Sequence, residues 1–255
     1  MKSMLHDFYK NTNLSNYDYK EQKWNHNISD KQISNYETAQ ILFEFSHNVS
    51  ICNHSKLELT PPEFDIVIAI NTISFFENVN ALWFCYSTKL NIIILCFTST
   101  YTNSLFLVDV NYLHQNPINI NNICKGLKIH GGFLSFYQCF RYKMLETINK
   151  YYNDKTKLYI SGFSLGGAIS SLAALDLYKY NGIHYSFASP RIFNIIGARY
   201  FDSLNIQSYR IYNNSDIVPS LPFPIMISSV KSLNVQDFMH IGKSISFNDN
   251  ICNYR

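Results

Sequence analysis

The sequence predicts an α/β domain whose central sheet is mixed but mostly parallel, with helices on both faces. Three observations lead there. The apolar runs FDIVIAI, ALWFCYST and NIIILCFT follow one another with no helix between them, and short runs rich in β-branched and aromatic residues suit strands. From residue 133 onward, segments of helical period alternate with such runs, a pattern that parallel strands joined by crossover helices produce. Finally, 255 residues of which 47% are hydrophobic suffice for one large core. Strands first and alternation later imply an antiparallel edge on the parallel sheet. No internal repeat or linker divides the chain, so residues 37–255 are read as one domain. Residues 1–36, polar and without sustained periodicity, are read as an N-terminal extension.

Each element has its own local reason. In 38–52, Ile41, Leu42, Phe45 and Val49 recur at helical spacing, and Pro61-Pro62 bars any continuation. The three apolar runs then give three strands, with a turn at Lys89-Leu90-Asn91 between the last two. Further along come a helix over 133–152, a strand near Leu158 and a helix over 165–177. A strand at HYSFAS, a helix over 195–201 and a strand at IQSYRIYN complete the pattern.

Bulk composition excludes several classes. A formal net charge of +3 with no basic run of five or more argues against a nucleic-acid partner. No apolar stretch reaches transmembrane length, and the N-terminus shows no secretory signal. That favours a cytoplasmic or non-classically exported protein and leaves the location open. The six cysteines, Cys52, Cys85, Cys96, Cys124, Cys139 and Cys252, contain no CxxC pair, which argues against a zinc site and leaves free thiols as the expectation. Asn, Ile, Tyr and Lys are over-used, so an Asn-rich loop is no functional signal here.

The chemistry concentrates in LYISGFSLGGAISSLAALDL. Strand, Gly162-Phe163-Ser164-Leu165-Gly166, then helix is the layout of a nucleophile elbow, which exposes a serine Oγ at the carboxyl end of a strand. A Cβ at Gly162 or Gly166 would press on the neighbouring strand and helix, and Gly167 extends that clearance. The N–H of Leu165 is placed to donate to a developing oxyanion. The competing reading makes Ser164 a helix cap in a crowded turn. A serine needs a base and the base an orienting carboxylate. Asp216 sits just past a strand in NSDIVPSLPFP, a loop stiffened by three prolines, where it serves either as that carboxylate or as an ordinary Asx-turn residue.

With these motifs in order, the chain resembles the class 3, fungal-type triacylglycerol lipases of the α/β-hydrolase fold, from about residue 38 to the end. GFSLGGAIS is similar to the family's elbow, FASPRI to the strand and turn that follow, and YRIYNNSDIVPSLP to the segment carrying the acid. HGGF at 130–133 is similar to the His-x-Gly-Phe before its long helix, and IIILCFTSTYTNSLFLVDV to its strand, oxyanion loop and lid. The resemblance implies a serine hydrolase cleaving carboxylic esters of lipids at a lipid–water interface, through a Ser-His-Asp triad and without a metal or organic cofactor. It assigns Ser164 as nucleophile, Asp216 as acid, and Thr100 with Leu165 as the oxyanion hole. Segment 102–110 falls where the family has a lid, although its apolar side also suits an ordinary buried helix.

Three departures qualify the resemblance. Phe163 replaces the family's usual His before the nucleophile, which reads as a packing change. Thr98-Ser99-Thr100 replaces a loop that usually contains Arg and Gly. The family's catalytic His lies beyond a short His-x-Gly segment; here FMHIGKSISF is similar to that segment, and no His follows His240. Either His240 serves as the base, or the chain is a catalytically impaired lipase-like lipid-binding or interaction protein. The remaining histidines, among them His130 and His184, are read as structural.

Overall fold

A computed structural model describes residues 35–51, 64–74, 77–99, 114–115, 124–222 and 238–247. Seven strands form the main sheet in the order β1-β2-β3-β6-β7-β9-β11. Strand β2 (Glu77–Ser87) runs antiparallel to both of its neighbours, β1 (Ile66–Ser74) and β3 (Ile92–Phe97). Strands β6 (Lys157–Phe163), β7 (Ile183–Phe187), β9 (Ser208–Asn213) and β11 (Lys243–Phe247) continue from β3 in parallel. This is the mixed sheet with an antiparallel edge that the run order implies. Four short strands make a second sheet: β4 (His114–Gln115), β5 (Ile129–His130), β8 (Phe193–Asn194) and β10 (Phe238–Met239).

Helices cover both faces. On one lies α1 (Asn35–Ile51); on the other lie α2 (Gly131–Tyr151) and α3 (Leu165–Asp176), with α4 (Ile195–Ser203) beyond them. Strand β3 shows why both faces need covering, because every one of its side chains is buried. Ile93, Leu95 and Phe97 enter the core beneath α2 and α3, whereas Ile92, Ile94 and Cys96 enter the core beneath α1. The period of two along a strand thus splits one apolar run between two cores. On the α1 side Leu42, Phe45 and Val49 bury their side chains against the strands.

The elements depart from the sequence reading mainly in length. β1 and β2 run past their apolar segments into Asn71–Ser74 and Glu77–Asn80, where register pairs Ser74 with Glu77. A hairpin can extend through polar residues because its ladder is built from backbone groups. The turn between β2 and β3 falls at Lys89, Leu90 and Asn91 as the sequence indicates, with Asn91 in the left-handed region at φ 51°, which Asn tolerates better than most residues. Of the cysteines, Cys85, Cys96, Cys124 and Cys139 are free thiols; Cys52 and Cys252 lie outside the described residues. Among those residues no helix is long and apolar enough to cross a membrane.

Polar ties fix α3, the helix that begins at the elbow. Arg141 of α2 makes a fork with Asp176 at its far end (2.6 and 2.8 Å), and Tyr137 Oη donates to the same carboxylate at 2.7 Å. Nearer the elbow, Ser170 Oγ donates to the Gly167 carbonyl at 2.9 Å and meets Nε2 of His184 at 3.0 Å. His184 Nδ1 meets Ser208 Oγ at 2.8 Å. Burial holds the His184 pKa down at about 3, so a neutral ring links α3, β7 and β9.

Candidate active site

Ser164 lies between β6 and α3 with φ 55° and ψ −118°, a conformation that costs a residue bearing a Cβ on the order of 1–3 kcal/mol. Its surroundings impose it. The Ser164 amide donates to the Phe187 carbonyl on β7 at 2.8 Å, and its carbonyl accepts from Gly167 and Ala168 at 2.9 and 3.2 Å. A Cβ on Gly162 would collide with the Gly166 backbone, and one on Gly166 with the Phe97 and Thr98 carbonyls; one on Gly167 would come within 2.8 Å of Ser189 Cβ. The glycines therefore let β6, α3 and the end of β3 close around the turn. Among the described residues neither the Ser164 hydroxyl nor the Leu165 amide has a hydrogen-bond partner. An unengaged hydroxyl beside an unengaged helix-start amide is the arrangement that acyl transfer to serine uses.

Phe163, just before the serine, packs edge-on against Phe43 of α1, with ring centroids 5.8 Å apart. Phe43 also meets Phe187 at 5.1 Å. An aromatic cluster thus fills the position where the family usually has His, and it ties α1 to the elbow.

Asp216 follows β9 at the same carboxyl edge of the sheet, one strand beyond β7. Its amide donates to the Asn213 carbonyl at 3.1 Å, and its Oδ1 accepts from the Val218 amide at 3.0 Å. Half-buried, the carboxyl has its pKa raised by desolvation, an effect that the Val218 amide partly offsets. Both readings of this residue have a counterpart, since Oδ1 forms the Asx turn while Oδ2 has no partner among the described residues.

His240 lies between β10 and β11. Its Nε2 is 2.7 Å from the Pro219 carbonyl; a carbonyl only accepts, so this nitrogen carries the proton and Nδ1 has the lone pair. Burial lowers its pKa to about 4, with the Arg210 and Arg191 guanidinium groups adding to the effect. Gly242, two residues on, packs against Ser208 at the start of β9. The ring thus reaches the loop after Asp216 from the side of β9 where the strand starts. Ser164, Asp216 and His240 make no hydrogen bonds to one another. Ser164 and Asp216 share one edge of the sheet; His240 meets the acid loop at Pro219.

Thr100 and segment 102–110 lie outside the described residues, although the strand end leading to them, at Phe97 and Thr98, touches the elbow glycine. No group of three His, Cys, Asp or Glu side chains is placed to hold a metal ion among the described residues. Sequence reasoning missed Arg191, in the turn after β7, and Arg210 of β9. The available signal for Arg191 was its place in FASPRI, between the elbow strand and the acid strand.

The sequence pattern of the lipase (class 3) family matches residues 94–226, just over half the chain, from within β3 through the loop after Asp216. The chain belongs to the class 3 lipase family. A secreted mono- and diacylglycerol lipase A of Penicillium cyclopium is 29% identical over 136 residues, 51% of this chain and 43% of that enzyme. A phospholipase A1-II 1 of Oryza sativa is 33% identical over 117 residues, 37% of this chain and 30% of that enzyme. The matched stretches thus span less than half of these relatives. The fold is similar to that of the Rhizomucor miehei triacylglyceride lipase, with a TM-score of 0.64 and 23% identity over 88% of this chain and 83% of that one.

Proposed function

We propose that the protein is a serine-dependent hydrolase of carboxylic esters of lipids. The observation that carries this reading is Ser164 itself, held at φ 55° with a hydroxyl that, like the adjacent Leu165 amide, has no partner among the described residues. A fold that needed only a capped helix has no use for that strain. Ser164 Oγ attacks the acyl carbon, and its proton passes to an imidazole that returns it to the leaving alcohol. Asp216 orients that imidazole, and the Leu165 and Thr100 amides hold the oxyanion; water then releases the acyl group. His240 is the imidazole assigned to this role. To fill it, the ring has to leave the Pro219 carbonyl and reach the edge of the sheet that Ser164 and Asp216 share. The relatives named above include a glyceride lipase and a phospholipase, which makes a lipid ester the substrate class.

One observation favours a second reading. His240 donates to Pro219 and stands near two guanidinium groups, which oppose the imidazolium a triad base must become. On that reading the fold binds lipid or a partner without turning it over.

Labelling the intact chain with a fluorophosphonate and mapping the adduct separates the two. Stoichiometric modification of Ser164, together with loss of fatty-acid release by on the order of 10³-fold or more in Ser164→Ala, is the outcome expected of the hydrolase. A folded wild type that binds lipid or a partner yet neither labels nor releases fatty acid above background would support the second reading.

A further inference from the structure

The loop after Asp216 is held largely through its carbonyls. Within it, the Ser220 and Leu221 amides close short turns onto Ile217 and Val218 at 2.9 and 3.0 Å. That leaves four consecutive carbonyls, of Pro219, Ser220, Leu221 and Pro222, outside the loop's own bonding. All four are taken by side chains or amides from elsewhere. His240 Nε2 donates to Pro219 at 2.7 Å. Arg191 supplies the other three bonds, from Nη1 to Ser220 at 3.0 Å and to Pro222 at 3.2 Å, and from its backbone amide to Leu221 at 2.8 Å.

A short stretch of chain also links Arg191 to the Ser164 turn. The Phe187 carbonyl, four residues earlier, accepts the Ser164 amide. Ser189, two residues earlier, packs so closely on the first turn of α3 that Gly167 has no room for a side chain. One five-residue segment, 187–191, therefore touches the serine turn at one end and grips the acid loop at the other. Charged donors make stronger bonds to carbonyls than neutral ones, and a single guanidinium serving two carbonyls fixes their relative position.

We propose that Arg191 is a positioning residue, which sets the Asp216 carboxylate relative to Ser164 by binding the carbonyls of Ser220, Leu221 and Pro222. This rests on the reading of Asp216 as the acid of a serine triad. It assigns the reaction's geometry to a residue that touches neither substrate nor the reacting atoms. A misplacement of about 1 Å in such a constellation lowers rate on the order of 100-fold without weakening substrate binding.

The test uses the full chain with Arg191→Ala and Arg191→Lys. Amide hydrogen exchange is followed in residues 208–222 and, as a control, in 157–176. Turnover of a soluble p-nitrophenyl ester is resolved into kcat and KM. In Arg191→Ala we expect faster exchange confined to 208–222, kcat lower by roughly 10- to 100-fold, and KM within about twofold. Added methylguanidinium at millimolar concentration restores part of kcat, which a general loss of stability does not allow. Should Arg191→Ala not fold, Arg191→Lys carries the same test, since both side-chain bonds come from Nη1 and the lysine ammonium ends one bond short of that position. Unchanged exchange in 208–222 overturns the brace. Faster exchange with unchanged kcat overturns the positioning role. A wild type without Ser164-dependent turnover overturns the hydrolase reading and with it the catalytic part of this proposal, while the exchange arm still decides whether Arg191 holds the loop.

Discussion

The elbow around Ser164 and the loop around Asp216 lie at the same edge of the sheet, yet they are held in opposite ways. The elbow is held by what is missing: three glycines let the chain close on Phe97, Gly166 and Ser189, and among the described residues no side-chain bond caps the turn. The Asp216 loop is held by what is added, with Arg191 and His240 binding four carbonyls in a row. Backbone packing is nearly all-or-none, because a carbonyl in a sheet cannot move aside for a methyl group. Side-chain bracing is graded, since each bond can be lost singly. Changes at the elbow should therefore act on folding, and changes at the loop brace on geometry and rate.

The largest effect expected is at the elbow. Gly166→Ala would set its methyl against the carbonyls of Phe97 and Thr98, with a loss of about 3 kcal/mol or more, or failure to fold; denaturant unfolding measures it. A variant as stable as wild type would mean that β3 yields, and the contrast with the loop would fail. A smaller, pH-dependent effect is expected from α1, which backs the elbow through Phe43. Glu44 is buried, and among the described residues neither carboxylate oxygen has a partner; burial raises its pKa from 4.5 to about 8. Above pH 4.5 the unfolded carboxyl is ionised while the folded one keeps its proton, so wild-type stability falls as pH rises from 4.5 to 8. Glu44→Gln removes that dependence and should be more stable than wild type at pH 8 by about 1–3 kcal/mol, with little difference at pH 4. Equal melting temperatures at pH 8 would count against the buried acid.

The smallest effect isolates the strain in the nucleophile turn. Ser164→Gly relieves a positive φ and should raise stability by about 1 kcal/mol while abolishing turnover. Ser164→Ala keeps the Cβ and should leave stability near wild type. If both variants have the same unfolding midpoint, the turn is unstrained and the elbow is held less tightly than the glycine contacts imply.

The sequence shows the elbow more plainly than the acid loop, for the same reason that the two differ. Gly162, Ser164, Gly166 and Gly167 lie within six residues, and their steric logic is local enough to read along the chain. The long strands and helices are equally legible because they repeat their pattern over five residues or more. Strands β5, β8 and β10 have two residues each, too few to show any period. Strand β11 falls in a segment that reads first as a motif, and its place beside β9 comes from backbone pairing with residues more than 30 positions earlier. His240 can be named as the last imidazole in the sequence, but where its ring points depends on that pairing.

What the sequence determined by itself is the fold class, the family pattern and the position of the serine, because each rests on residues whose spacing carries the information. The tertiary structure decided what surrounds them. It put Phe43 against Phe163, gave Arg191 three carbonyls of a loop some thirty residues away, and set His240 on the Pro219 carbonyl. Such contacts depend on the chain closing long loops, and the free energy of closure comes from the shared core rather than from any segment that a reader can quote.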